Sequence, residues 1–457
     1  MDKLSQLDRR YVWHPFTQMR DWERAEPIVL VRGKGAMLVD AQGNKYLDGN
    51  SSIWTNLHGH NHPKLNQAIE RQLKQVAHTS ALGLANEPAS LLAEKLVKGA
   101  GLPLRKVFYS DDGSTALEVA LKMAYEFTRR SGRSNSPRFL SLDGAYHGDT
   151  IGATSLGHID LFHKTFSGLL FKTDKVASPA CYRCPFNRVK PERRDARLYA
   201  KCNHECVNKV EAKLSKHKYA AMVVEPRVQG AAGMIMHPEG WLKRVSEIVR
   251  ASGALLISDE VMTGFGRTGE IFAGQKEGVR PDFLCLAKGL TGGYLPMAAT
   301  LTTKLIYDAF LGEYEEFKTF FHGHSYTGNQ LGSAAALASW NLLLQPNNKK
   351  RRKTMERVLD RELDSLWALA AVGDVRREGL VVGVELVADW KTRRAFALKD
   401  RAGIRVCEAM ARRGVLTRPI GNVIPLLPPY CTTDAQLRRM VRVLRESIGE
   451  VLGAGQA

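Results

Sequence analysis

No run of about 20 consecutive apolar residues occurs in this 457-residue chain, so no segment reads as a membrane-spanning helix. The longest stretch free of charge, Thr319 to Asn348, is broken by His, Gly, Gln and Asn. The opening residues, Met1 to Arg10, lack the apolar core of a secretory signal. Cysteines number only seven, too few to staple a chain of this length. Without an export signal they are expected to stay reduced in a cytoplasmic protein. Acidic residues are scarce as well, 47 against 66 basic, a net charge of +19. A concentrated basic stripe would point to nucleic acid. Here the excess is spread along the chain, so no nucleic-acid partner is expected, and a solvated basic surface or anionic small substrates account for it. The one dense run, Lys349 to Lys353, follows Pro346-Asn347-Asn348 and is expected on an exposed helix start. Hydrophobic residues at 44% supply an ordinary globular core and exclude extensive disorder.

What recurs is a short apolar run, a turn, and a segment with helical spacing. Lys106 to Tyr109 leads through Ser110-Asp111-Asp112-Gly113-Ser114 into Leu117, Ala120, Leu121 and Ala124 at i, i+3, i+4 and i+7. Similar runs end at Gly144-Ala145-Tyr146-His147-Gly148, at Glu225-Pro226, at Ser258-Asp259-Glu260 and at Lys288-Gly289. Strands alternating with helices predict an α/β fold with a mainly parallel central sheet covered on both faces. Polar and Gly-rich residues collect past the strand ends, where such sheets bind ligands. Short β-like pieces from Ile28 to Asp48 and a helix–strand–helix pattern after Lys349 predict a smaller α+β domain built from both chain ends. The expected division is 1–69 and 346–457 around a large domain at 70–345.

Four features carry chemistry. Gly113-Ser114-Thr115 at a helix start offers free amides, the helix dipole and hydroxyls to a phosphate, although it also suits an ordinary N-cap. Asp259, just past a strand, can keep a ring nitrogen protonated or simply pair with a cation. Lys288, at the next strand end, is either solvated or desolvated enough to form a Schiff base with an aldehyde. Tyr146 can stack on a flat ring or fill the core. Together they describe a pyridoxal 5′-phosphate site: phosphate cradle, ring cover, pyridinium partner and Schiff-base lysine.

The segment from Leu256 to Gly269, followed by Leu286-Ala287-Lys288-Gly289-Leu290-Thr291-Gly292-Gly293, resembles the class III aminotransferases of fold type I. Trp13 to Met19, Ser51-Ser52-Ile53-Trp54, His58 to Pro63, Tyr146 to Thr150 and Thr417-Arg418-Pro419 are similar to the diaminopelargonate aminotransferases of biotin synthesis. These convert 8-amino-7-oxononanoate (KAPA) to 7,8-diaminononanoate (DAPA). The resemblance implies that Lys288 binds the cofactor aldehyde, Asp259 the pyridine nitrogen, and Gly113 and Ser114 the phosphate, with Tyr146 over the ring. It implies a homodimer in which Gly323, His324 and Ser325 complete the neighbouring subunit's phosphate site. Arg418 matches the arginine that holds a substrate carboxylate, a role suited to its fork, and Trp54, Ile53 and Phe16 line the substrate cleft. Many relatives have Tyr in place of Phe16 and a second Trp in place of Ile53. The implied donor is S-adenosylmethionine. Lysine as donor, another class III ω-amino or diamine activity, or a silent binding protein are the alternatives.

Cys181-Tyr182-Arg183-Cys184 and Cys202-Asn203-His204-Glu205-Cys206 have zinc-compatible spacing. They fall in a basic, Pro-containing insertion at about 178–210, and the implied chemistry needs no metal. Free thiols and no metal are the expectation.

Overall fold

The computed structural model describes residues 3–453. The apolar runs build a seven-stranded sheet in the order Leu104–Ser110, Ala298–Thr303, Phe283–Leu286, Leu255–Asp259, Tyr219–Val224, Arg138–Leu142 and Asp174–Val176. Ala298–Thr303 runs antiparallel to both neighbours, and every other pairing in this sheet is parallel. Both faces are covered, which is why the strands are apolar without alternation. Val223, Ile257 and Cys285 pack on Leu117, Ala120, Leu121 and Ala124 of the helix Gly113–Arg130. Met222, Val224 and Leu256 point the other way, onto the helices Glu205–Leu214 and Trp241–Ala251.

Asp112, not Ser114, caps the helix Gly113–Arg130. Its carboxylate accepts from the Thr115 N–H at 3.0 Å, and the Thr115 hydroxyl accepts from the Asp112 N–H at 3.0 Å. Such a reciprocal cap contributes ~1 kcal/mol. Truncating the fully buried Leu117 to Ala would cost about 2–5 kcal/mol.

The chain ends meet. Leu30–Lys34, Met37–Asp40 and Lys45–Asp48 form a sheet whose fourth strand is Val415–Leu416. Val372–Glu378, Val381–Leu386 and Val423–Leu426 form another. One apolar cluster runs from Leu47 and Leu57 through Leu286 and Trp340 to Val382 and Leu444, so the terminal elements and the central sheet share a core.

The basic surplus is not simply a solvated surface. Arg227, Arg267, Arg352 and Arg376 are all buried. Within the expected exposed run, Arg352 turns inward from the helix Pro346–Leu363, donates to the Leu343 carbonyl at 3.0 Å and lies over the Tyr430 ring. Lys349, Lys350 and Lys353 are exposed as expected. The Cys-containing insertion is held by its own arginines: Arg193 donates to the carbonyls of Val372 and Leu369, and Arg197 pairs with Glu378. Burying a guanidinium is tolerated where carbonyls or carboxylates receive it. Among the described residues, no helix is long and apolar enough to cross a membrane.

Candidate active site

The parallel strands deliver their polar C-terminal residues to one edge of the sheet. Asp259 closes its strand, buried at 5% exposure. Its Oδ2 lies 2.7 Å from His147 Nδ1, and its Oδ1 accepts from the Val261 N–H at 3.1 Å. Glu225, following Tyr219–Val224, accepts from the Tyr146 and Gly230 amides. Burial pushes its carboxyl up to about 7 despite the nearby His147. Lys288 follows Phe283–Leu286 with a left-handed backbone, φ 45°. Burial lowers the pKa of its amine, and the charges of Asp259 and Glu225 pull the other way without cancelling the effect. A lysine so placed gives up its proton more readily than a solvated one, which favours the nucleophilic amine. Its Nζ lies 4.8 Å from the centroid of the Trp54 ring.

These groups share one cavity of about 150 Å³, lined by Trp54, Gly113, Ser114, Tyr146, Asp259 and Lys288 among others. Gly113 is required there, because a Cβ would stand 2.6 Å from Val261 Cγ1. Ser114 Oγ accepts from the Asp149 N–H at 3.1 Å. The Tyr146 hydroxyl donates to Asp149 at 2.7 Å, and burial first, then Asp149, raises the phenol's pKa. It stays protonated at any physiological pH.

The remaining expected site residues lie outside this wall. Phe16 stands edge-on to Tyr146, with centroids 6.5 Å apart, and its carbonyl accepts from Arg418. Ile53 is 47% exposed beside Trp54. Gly323, His324 and Ser325 do not line the cavity. His324 sits 3.4 Å from Asp111 of the same chain, and the Ser325 carbonyl accepts from His78. Sequence reasoning passed over His147, Glu225 and Asp149. The first is adjacent to Tyr146 and the second directly follows an apolar strand, so position carried a signal that residue type alone did not. Among the described residues, no group of three or more His, Cys, Asp or Glu is arranged to hold a metal ion, and Cys181, Cys184, Cys202 and Cys206 are free.

A family model for class III aminotransferases matches residues 19–448. The chain belongs to that family. A relative from Geobacter sulfurreducens, named adenosylmethionine-8-amino-7-oxononanoate aminotransferase, is 47% identical, covering 98% of each chain. The crystal structure of the protein of that name from Methanocaldococcus jannaschii is 41% identical, with a TM-score of 0.91 over 98% of each chain. An amine transaminase from an uncultivated Pseudomonas species, solved in its PLP-bound form, is 33% identical with a TM-score of 0.88, over 97% of this chain and 99% of that one.

The fold is therefore the family's fold type I, the activity aminotransfer, and the cofactor pyridoxal 5′-phosphate. The residues present fit that group. The amides of Gly113 and Ser114 open a helix whose cap serves Thr115, which suits a phosphate. His147 Nε2, Trp54 Nε1 and Thr263 Oγ1 are buried around the cavity with no partner of their own. When bound, the cofactor supplies an exchangeable aldehyde and a ring that withdraws electrons from the carbon to be deprotonated.

Proposed function

We propose that this aminotransferase converts KAPA to DAPA in biotin synthesis, with S-adenosylmethionine as amino donor. The observation that carries the reading is the full-length likeness to relatives bearing that enzyme's name. Lys288 would hold the cofactor through its aldehyde, and the Lys288 amine would carry the proton taken from the amino compound's carbon. Asp259, with His147 behind it, holds the proton on the pyridine nitrogen. Tyr146 covers the ring, and Gly113 and Ser114 hold the phosphate.

Gly323, His324 and Ser325 serve the neighbouring subunit's phosphate, so the working form is a homodimer. Phe317, Phe321 and Tyr326 around that run are exposed at 66%, 69% and 60%, apolar surface of the kind a subunit interface buries. A cytoplasmic location and the division at 69 and 346 belong to the same proposal.

Arg418 spends one donor on the Phe16 carbonyl and has others for a substrate carboxylate. Trp54, Ile53 and Phe16 wall the cleft. Ile53 lacks an aromatic face, but Phe162 lies 5.2 Å from Phe16 and 6.1 Å from Tyr146. That cluster suits adenine and a sulfonium cation. The test is a half-reaction with each donor alone, followed by KAPA. S-adenosylmethionine should convert the cofactor's aldehyde absorbance to that of its amine, and KAPA should restore it with DAPA as product. Conversion by lysine alone would reverse the donor. Restoration by other ketones but not KAPA would overturn the reaction.

A further inference from the structure

Ser51, Ser52, Ile53 and Trp54 all have positive φ, at 46°, 49°, 62° and 70°. L-residues adopt this conformation singly, not in series, because the Cβ crowds the following carbonyl. A β-branched residue there is a genuine outlier. Four in a row persist only where surrounding structure over-determines them, and such strain concentrates at functional sites.

The restraint comes from Asp48. Its Oδ1 accepts from the Asn50 and Ser52 amides at 3.2 and 3.0 Å, and its Oδ2 from the Ser52 hydroxyl at 3.0 Å. His60 Nε2 stands 2.9 Å from the same Oδ2. Asn56 Oδ1 accepts from the Gly59 N–H at 2.8 Å, so its Nδ2 is the atom that meets His60 Nδ1 at 3.0 Å. Nδ1 is therefore an acceptor, and the ring proton sits on Nε2, directed at Asp48. Burial opposes a charge on Asp48, but the bonds from His60 and Ser52 outweigh it and hold its carboxyl below the usual range. The strained turn ends at Trp54, whose ring faces the Lys288 amine.

We infer that Asp48 and His60 are positioning residues, which act through the left-handed turn to hold the Trp54 ring against Lys288. The inference rests on the assignment of Lys288 as the reacting amine. In Asp48→Asn the new amide N–H groups would meet the proton on His60 Nε2, and in His60→Gln the link to Asn56 is lost. Either change lets the turn relax and the indole leave the amine.

The test labels the holoenzyme with 5-fluorotryptophan and assigns the Trp54 resonance with Trp54→Phe. In Asp48→Asn and His60→Gln the Trp54 fluorine signal should shift or broaden, while those of the other six tryptophans stay in place. The donor half-reaction should slow about tenfold in each variant, and Asp48→Asn should add little to Trp54→Phe, as expected of groups acting as a unit. An unmoved Trp54 signal in both variants, or losses that multiply, would overturn the inference. If all seven signals collapse, the variant has unfolded, and Ser52→Ala, which removes only the hydroxyl bond to Asp48, decides by the same fluorine criterion. A wild-type enzyme that accepts neither donor would refute the proposed reaction, and the fluorine result would still decide this one.

Discussion

His147 Nδ1 and Asp259 Oδ2 are 2.7 Å apart across 112 residues of sequence, with the imidazole wholly shielded from solvent. Burial disfavours charge on the ring, but the Asp259 hydrogen bond and the charges of Asp259 and Glu225 outweigh it, and the His147 pKa is raised. The imidazole thereby occupies one carboxylate oxygen, while the other accepts from the Val261 N–H. Asp259→Asn should slow the half-reaction by on the order of 10²-fold or more, since an amide cannot hold the pyridine proton. His147→Asn removes a charge-assisted bond of ~1.5–3 kcal/mol and should cost roughly 10- to 100-fold. Stopped-flow rates equal to wild type would refute either role.

Lys288→Ala should still bind the cofactor non-covalently yet lose transamination, because attachment and proton transfer use the same amine. Borohydride reduction of the wild type and peptide mapping should place the cofactor-derived label on Lys288. A label on another lysine sinks the assignment.

Glu225 gives a pH signature. Its folded-state pKa is raised to about 7 from an ordinary 4.5. Between those values the folded chain keeps a proton that the unfolded chain has lost, so stability falls as pH rises through that window and stays lower above it. The total is on the order of 3 kcal/mol. Glu260 and Asp374, also raised to about 7, act in the same direction. Glu225→Gln should therefore flatten the decline in Tm between pH 4.5 and 7 without abolishing it. An unchanged slope would contradict the assignment of this proton.

Ile53 holds a left-handed conformation that costs an L-residue about 1–2 kcal/mol, and its side chain is 47% exposed. Asn tolerates that region far better. Ile53→Asn should raise stability by roughly 1 kcal/mol in urea melts. A destabilised variant would show that the Ile53 side chain packs more tightly than its exposure implies.

Composite sites predict complementation. Lys288→Ala and Ser325→Ala proteins, each inactive, should regain activity when their subunits exchange, because a mixed dimer restores one complete site. Verified mixed dimers without activity would place Ser325 outside the phosphate site.

Several residues lining the cavity are legible in the sequence. Asp259 ends one apolar strand and Lys288 follows the next by two residues, and in a parallel sheet covered on both faces such positions converge at one edge whatever the surrounding detail. The helix start at Gly113 was legible too, although the sequence did not distinguish Asp112 from Ser114 as its cap. A Ser114 cap would serve the Ala116 or Leu117 amide, whereas Asp112 serves that of Thr115.

Local in origin is the grammar of strand, turn and helix, with the chemical groups placed at each strand end. Those follow from short-range sterics and from apolar periodicity. Tertiary packing alone decided that His147 meets Asp259, that Arg352 leaves its basic run to lie over Tyr430, and that burial raises the Glu225 pKa. It also decided the left-handed turn at Ser51–Trp54, which no local propensity favours. Asp48 and His60 brace it from within twelve residues, and the Ser51 hydroxyl, donating to the Leu427 carbonyl, and Arg267, donating to the Trp54 carbonyl, tie it to the packed chain. Desolvation and hydrogen-bond geometry depend on distances between residues far apart in sequence, and those distances exist only in the packed chain.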